Sequence, residues 1–126
     1  GIFSKPEDVD DERARLRFYS KDRPGTVHDE DGYEKEVFEA IAKIRAICEE
    51  MEKPMADVAL AWTLHQPGVI AALAGARQPQ EIIEDARAAE LELPEAILEQ
   101  LNSVTEELKT KMGSNADPWR TKSRIQ

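Results

Sequence analysis

The chain has 126 residues, with 26 Asp and Glu against 17 Lys and Arg, which gives a formal net charge of −9 at pH 7. A chain of this length is expected to form a single domain. The sequence has neither an apolar run of the roughly 18 residues needed to span a membrane nor a leader of basic and apolar residues. The acidic balance and the lack of a Lys/Arg cluster disfavour nucleic acid as a partner. One cysteine, Cys48, excludes an internal disulfide framework, and His28 and His65 are too far apart to suggest a metal site. We therefore expect a soluble, cytoplasmic protein without a metal.

The first 32 residues carry few signals of regular structure. Five of the six residues from Glu7 to Glu12 are acidic, and residues 21–25 read as a turn. A stretch of this length without regular structure is uncommon in a compact domain unless it is functional or disordered. We expect residues 1–32 to form a mobile loop in which His28 is solvated.

Residues 33–112 are predicted to hold the helices. Asp31 can cap a first helix whose third residue is Glu34, and Pro54 ends that helix. Its apolar stripe, which has helical spacing, consists of Val37, Ile41, Ile44, Cys48 and Met51. A second helix over about 56–66 is apolar over much of its circumference and is expected to be buried.

The run at 69–74 contains no polar residue and is bounded by Gly68 and Gly75. A short apolar run between glycines is typical of a strand that is buried on both faces. A buried helical segment is the competing interpretation, and the shortness of the run favours the strand. A single buried strand cannot satisfy its own backbone N–H and C=O groups. The strand interpretation therefore requires a larger α/β protein or a second copy of the chain.

Two further helices are predicted after this run. Pro79 is suited to the first position of a helix, whose buried side would be formed by Ile82, Ile83 and Ala86. Another helix starts at Pro94, with an apolar stripe made of Ile97, Leu98, Leu101, Val104 and Leu108. Residues 113–126 are predicted to be an irregular tail.

The loop between the run and Pro79 is the best candidate for chemistry. A helix N-terminus presents unpaired N–H groups and a partial positive charge, which attract phosphate. The Arg77 guanidinium adds planar, charge-assisted donors beside it. Gly75 and Ala76 would let a ligand approach the backbone closely. The competing interpretation is that Arg77 is an ordinary surface residue.

Several motifs together resemble the C-terminal part of the aldo-keto reductases. They are ALAWTL at 59–64, QPGV at 66–69, AGAR at 74–77, PQEIIED at 79–85, LELP at 91–94 and, in the tail, DPWR at 117–120. The resemblance covers about residues 34–120. It implies an α/β fold, the C-terminal part of a (β/α)8 TIM barrel, with 69–74 as its last strand. A complete barrel takes about 250 residues, so the chain would be roughly half of one.

The resemblance also implies a cofactor, NADP(H). Arg77 matches the residue that meets the adenosine 2′-phosphate, and Gly75 and Ala76 match the turn beneath it. Glu84 matches the acid that accepts from the adenine amino group.

Three further positions complete the implied cofactor site. Gln80 and Glu81 match a pair whose second member is often Gln or Arg, so Glu81 departs from the pattern and would repel phosphate. Asp85 stands where Asn is usual.

No catalytic residue is assigned in this chain. The family's catalytic Asp, Tyr, Lys and His lie upstream of the part that the chain resembles. Tyr19 and Tyr33 lack those partners in their sequence context, and His65, at a helix end, is expected to pack or cap. The chain alone is therefore expected to be inactive.

The leading hypothesis is a part of an NADPH-dependent reductase of small carbonyl compounds that supplies the adenosine end of the cofactor site. The alternative is a stand-alone helical module for protein interaction, and a third possibility is a truncated paralogue that keeps a cofactor half-site. If isolated, the chain could self-associate through exposed strand edges.

Overall fold

The computed structural model describes residues 2–122 and residue 124. Within these residues it contains one short 3-10 helix, Pro6–Asp8, and four α-helices but no β-strand. The α-helices are α1 Glu34–Glu50, α2 Met55–Leu64, α3 Pro79–Ala88 and α4 Glu95–Met112. None of these helices combines the length and the apolar character that crossing a bilayer requires. The chain divides into two compact units, and each is described separately below.

The predicted buried strand at 69–74 is not present, and this prediction was wrong. The segment has no regular secondary structure, and the side chains of Ile70 and Leu73 are fully exposed, at 98% and 103%. The described part of the chain offers no strand with which its backbone could pair, so its N–H and C=O groups must be satisfied by solvent. The α/β class is therefore corrected to an all-helical description for these residues. The expectation of self-association through exposed strand edges depended on a strand at 69–74, and the described residues contain no strand.

The start of α1 also differs from the prediction. The helix begins at Glu34, and Asp31 binds Lys21 instead, with 2.7 Å from its Oδ1 to the Lys21 Nζ. The reason lies in Gly32, which has a φ of +85°. A Cβ at Gly32 would lie 2.2 Å from the backbone oxygen of Tyr19. This close approach fixes the chain in a non-helical conformation just before α1.

The first unit, Ile44–Ser103, is held together by the packing of α2 against α3. Val58 and Ala61 of α2 are buried, as the apolar circumference of this helix predicts. At its end, His65 is the C-cap residue, and its Nδ1 lies 2.8 Å from the Ala61 carbonyl oxygen, which confirms the capping role. Arg87 of α3 reaches Asp57 of α2, with 3.7 Å between Nη2 and Oδ2.

The predicted orientation of α3 was wrong, because Ile82 and Ile83 are both largely exposed. Ala88 is the buried residue of this helix.

Cys48 of α1 is buried, as the helical stripe predicts, and burial raises the pKa of its thiol. Since the thiolate is the reactive form of cysteine, Cys48 is suited to packing rather than to nucleophilic chemistry.

The second unit contains residues 2–43 together with the described residues from 104 onwards. Its apolar cluster contains Val9, Ala14 and Phe38, with Phe3, Tyr19, Val37 and Ile41 packed against it. Residues 2–32, though without α-helix, thus contribute buried side chains to this unit. The Arg23 guanidinium further braces this segment, since it donates to the carbonyl oxygens of Val9 and Pro6 at 3.1 and 2.8 Å.

A buried guanidinium ties residues 2–32 to the C-terminal tail within this unit. Arg17 is only 3% exposed, and its Nε donates to Glu30 Oε1 at 2.8 Å. Its Nη1 donates to the carbonyl oxygens of Asn115 and Asp117 at 3.0 and 3.1 Å, and its Nη2 donates to that of Met112 at 3.4 Å. Because these acceptors lie at the end of α4 and in the tail, the guanidinium fixes the tail in place.

Candidate functional site

The candidate site is the entry to α3 in the first unit. The helix begins at Pro79, and its N-cap residue, Gln78, makes no side-chain capping hydrogen bond. Proline fits this first position because its missing N–H would have no partner inside the helix. The start of α3 thus has the features of an anion site that the sequence predicts, namely a helix N-terminus with Arg77 close by.

The Glu81 carboxylate occupies part of this anion site at the start of α3. One oxygen of its carboxylate accepts from the backbone N–H of Arg77, and the other lies 3.8 Å from the Arg77 guanidinium Nη2. The Arg77 N–H, followed by the Arg77 guanidinium, lowers the pKa of Glu81, so the carboxylate is charged at neutral pH. The Arg77 side chain is 87% exposed. A phosphate bound at this helix start would therefore have to compete with the Glu81 carboxylate.

Gln80 and Glu84 are joined on the next turn of α3. The Gln80 Nε2 donates to Glu84 Oε1 at 3.1 Å, as their spacing of four residues allows. Gly75 and Ala76 are exposed. A Cβ built on Gly75 meets no atom within 4 Å, so this side of the loop is open to a ligand, although the protein itself would accommodate a larger residue there.

Asp85 lies one helical turn beyond Glu81 and lines a cleft of about 520 Å³. The cleft is formed by residues of α2, of α3 and of the exposed segment before Gly75. Its lining consists of Leu60, Leu64, Ala71, Ala72, Leu73, Ala74, Ile82, Asp85, Ala86 and Ala89. This largely apolar lining with one carboxylate suits a flat ring that carries a hydrogen-bond donor.

Sequence reasoning missed the contribution of α2 to this cleft. The sequence indicates only that Leu60 and Leu64 belong to the apolar helix predicted over about 56–66. Their spacing of four residues places them on one face of α2, which was the available signal. The sequence could not show that this face opens towards Asp85.

The tyrosines and histidines have structural contacts. Tyr19 lies under the Arg23 guanidinium, at 5.7 Å from its ring centroid, and burial raises the pKa of its hydroxyl. The Tyr33 hydroxyl donates to the Lys111 carbonyl oxygen at 3.4 Å. Across the residues with described positions, no group of three or more His, Cys, Asp and Glu side chains is placed to hold a metal ion.

The comparison with protein families gives one match. The model described as the Aldo/keto reductase family matches residues 4–106. This range includes all seven residues of the candidate cofactor site. Searches of curated proteins and of solved structures gave no match.

Proposed function

This chain belongs to the aldo/keto reductase family, and on that premise we propose that it is the cofactor-binding part of an NADPH-dependent reductase of small carbonyl compounds. The bound cofactor would supply a hydride to the carbonyl carbon while the carbonyl oxygen takes up a proton. Catalytic groups outside this chain would complete the reaction, so the chain alone would be inactive. The acidic composition and the single cysteine favour a cytoplasmic location.

The observation that carries this proposal is the start of α3. The proposed position of the 2′-phosphate is beside Arg77 and the first turn of the helix, over Gly75 and Ala76, where the space is open. An Arg side chain that is largely exposed has freedom to turn towards a phosphate.

The cleft between α2 and α3 supports the adenine end of the proposal. Asp85 is the carboxylate among its lining residues. An exocyclic amino group is a donor that a carboxylate can accept, and aliphatic side chains such as Leu60 and Leu64 suit the faces of the ring. In this proposal Gln80 and Glu84 line the outer side of the adenosine.

The first test is the affinity of the intact enzyme for NADPH and NADH with Arg77→Ala. Loss of one charge-assisted phosphate contact should weaken NADPH binding by roughly 10- to 150-fold, which corresponds to about 1.5–3 kcal/mol. NADH, which lacks the 2′-phosphate, should bind as before. Arg87→Ala, which removes an exposed arginine near the other end of α3, is the matched control. Unchanged NADPH affinity, or an equal loss for both cofactors, would contradict the role of Arg77.

A second test concerns the source of the catalytic groups. We expect the native polypeptide that contains this chain to be about twice as long and to carry an upstream Asp, Tyr, Lys and His. Its intact mass, measured from the native source, decides this directly. A native polypeptide of 14.2 kDa would rule out the catalytic part of the proposal.

A helical interaction module is the second candidate, and it is favoured by the four helices of the described residues. The two candidates differ in what they bind. The reductase part should respond to NADPH through Arg77, whereas an interaction module should bind neither cofactor.

A further inference from the structure

The second unit contains a cleft that the proposed cofactor site does not include. It has a volume of about 620 Å³, which lies within the usual range for small-molecule sites. Two segments line it, one at 27–29 and the other in the tail. The lining residues are Val27, His28, Asp29, Arg120, Thr121, Lys122 and Arg124.

The cleft is basic although the chain is acidic. Three of its lining residues are cationic, and Asp29 is the one carboxylate, whereas the whole chain has a net charge of −9. Arg120 and Lys122 form no ion pair with any residue in the ranges 2–122 and 124. Two cations left without a carboxylate partner can neutralise an anionic ligand.

The tail wall of the cleft is fixed by Asp117, which is completely buried. Its carboxylate accepts from Arg124 Nε and Nη2 at 2.7 and 3.0 Å and from the backbone N–H of Trp119 at 2.9 Å. The Arg124 guanidinium holds the pKa of Asp117 well below its usual range, so this pairing persists at neutral pH.

Two further contacts hold the polypeptide around Arg120. The Asn115 Nδ2 donates to the carbonyl oxygens of Arg120 and Thr121 at 2.9 and 2.8 Å. The Thr121 hydroxyl oxygen accepts from the backbone N–H of Asp29 at 3.2 Å, which connects the two walls. A ligand would thus meet a preformed backbone, and only the exposed side chains would need to be ordered.

His28 is one of the residues that line the cleft. Contrary to the expectation of a solvated side chain, it is only 7% exposed. Its Nε2 lies 3.1 Å from the Leu16 carbonyl oxygen, and since a carbonyl can only accept, Nε2 carries the hydrogen. Nδ1 is left without a hydrogen-bond partner. The ring is thus held by its Nε2 contact, and a charged group that binds in the cleft would lie close enough to shift the resonances of the ring nitrogens.

We propose that this cleft binds the phosphate group of a small phosphorylated molecule. A phosphate carries nearly two negative charges and three acceptor oxygens at neutral pH, which match the unpaired cations of Arg120 and Lys122. A carboxylate carries one negative charge and two acceptor oxygens, so it satisfies this lining less completely. Val27, which is half-exposed, gives the rest of the molecule an apolar contact.

The first experiment follows the His28 ring nitrogens by NMR in the intact polypeptide that contains this chain. Inorganic phosphate, phenyl phosphate and benzoate are the three probes. We expect both phosphates to shift the Nδ1 resonance saturably and benzoate to bind at least tenfold more weakly. Phenyl phosphate that binds more tightly than inorganic phosphate would indicate an organic phosphate, and equal affinities would indicate the free ion. No saturable shift with either phosphate, or an equal response to benzoate, would overturn the proposal.

The second experiment uses charge-matched variants. Arg120→Gln with Lys122→Gln should weaken the binding of phenyl phosphate at least tenfold. The control pair, Lys53→Gln with Lys109→Gln, removes the same charge from exposed positions outside the cleft. It should change the affinity for phenyl phosphate less than twofold. An equal effect of both pairs would show a response to net charge alone and would overturn the site. Circular dichroism of each variant checks that the helices are retained.

A third variant separates this proposal from the proposed function. Arg77→Ala should reduce NADPH affinity and leave the response of His28 to phenyl phosphate unchanged. A loss of that response in Arg77→Ala would place the phosphate at the start of α3 and not in this cleft.

Discussion

The contact between Arg77 and Glu81 is the most informative one at the scale of single residues. The family resemblance implies that both belong to a cofactor site and that Glu81 would repel a phosphate. The structure adds that the carboxylate accepts from the Arg77 N–H and lies near its guanidinium. Glu81 thus acts as an internal anion at the position proposed for the 2′-phosphate. A phosphate bound at the proposed position would have to displace it, which would lower the affinity for NADPH.

We therefore expect Glu81→Gln to strengthen NADPH binding. Removal of a competing charge at a partly exposed site should strengthen NADPH binding by roughly 2- to 5-fold. Titration of the intact enzyme with NADPH and NADH measures this, and the ratio of the two affinities should move towards NADPH.

Glu84→Gln is the comparison for this experiment. In the proposed site Glu84 lines the outer side of the adenosine, which both cofactors share, so its replacement should change both affinities equally. An unchanged ratio in Glu81→Gln would contradict the competition between the Glu81 carboxylate and the 2′-phosphate.

His28 shows the limit of sequence reasoning at this scale. A histidine in an acidic loop is expected to be solvated, but His28 is buried and contacts the Leu16 carbonyl oxygen, and the residue after it contacts the distant tail. Asp29 and Thr121, whose contact joins the two walls of the cleft, are 92 residues apart in sequence. No local pattern reports such a contact, whereas the contact of Gln80 with Glu84 follows from helical spacing.

At the scale of elements, the start of α1 depends on Gly32. Its positive φ and its close approach to the Tyr19 backbone exclude any side chain. The predicted cap at Asp31 was wrong because the contact of Gly32 with the Tyr19 backbone keeps residue 32 out of the helical conformation. This tertiary contact outweighs the local helix signal of the sequence.

Gly32→Ala should therefore be strongly destabilising. Gly113, with a φ of +69° and no atom near its Cβ position, provides the control. Gly113→Ala should lose about 1–2 kcal/mol from the unfavourable φ alone, and Gly32→Ala should lose more because it adds a clash with backbone. Urea denaturation of the two variants measures the difference. Equal losses would show that the turn before α1 relaxes freely.

The other elements show which signals sequence carries well. Proline at 54 and at 79 marked one helix end and one helix start close to where they occur, because proline acts through its own backbone geometry. The apolar run at 69–74 was misread because a strand is defined by its neighbours. Composition indicated that the segment is apolar, but it could not provide a pairing partner.

At the scale of the whole molecule, apolar side chains divide into a packed set and an exposed set. Leu101 of α4 is buried, whereas Leu73 is fully exposed. Leu101→Ala should cost about 2–5 kcal/mol in the free energy of unfolding, and Leu73→Ala should change it by less than about 0.5 kcal/mol. Thermal or urea unfolding of the chain checks both values. A large loss for Leu73→Ala would show that this segment packs in solution and would contradict its exposed position.

The buried Arg17 also has a consequence for the order of events during synthesis. Its acceptor at Met112 is 95 residues further along the chain. At a translation rate of about 5–20 residues per second, the ribosome needs roughly 5–20 s to make that acceptor after Arg17. Glu30, only 13 residues away, is made almost at once and can pair with the guanidinium during this wait. The segment around Arg17 thus has its charge neutralised before residues 112–117 are made, and its set of hydrogen bonds is complete only after those residues have left the ribosome.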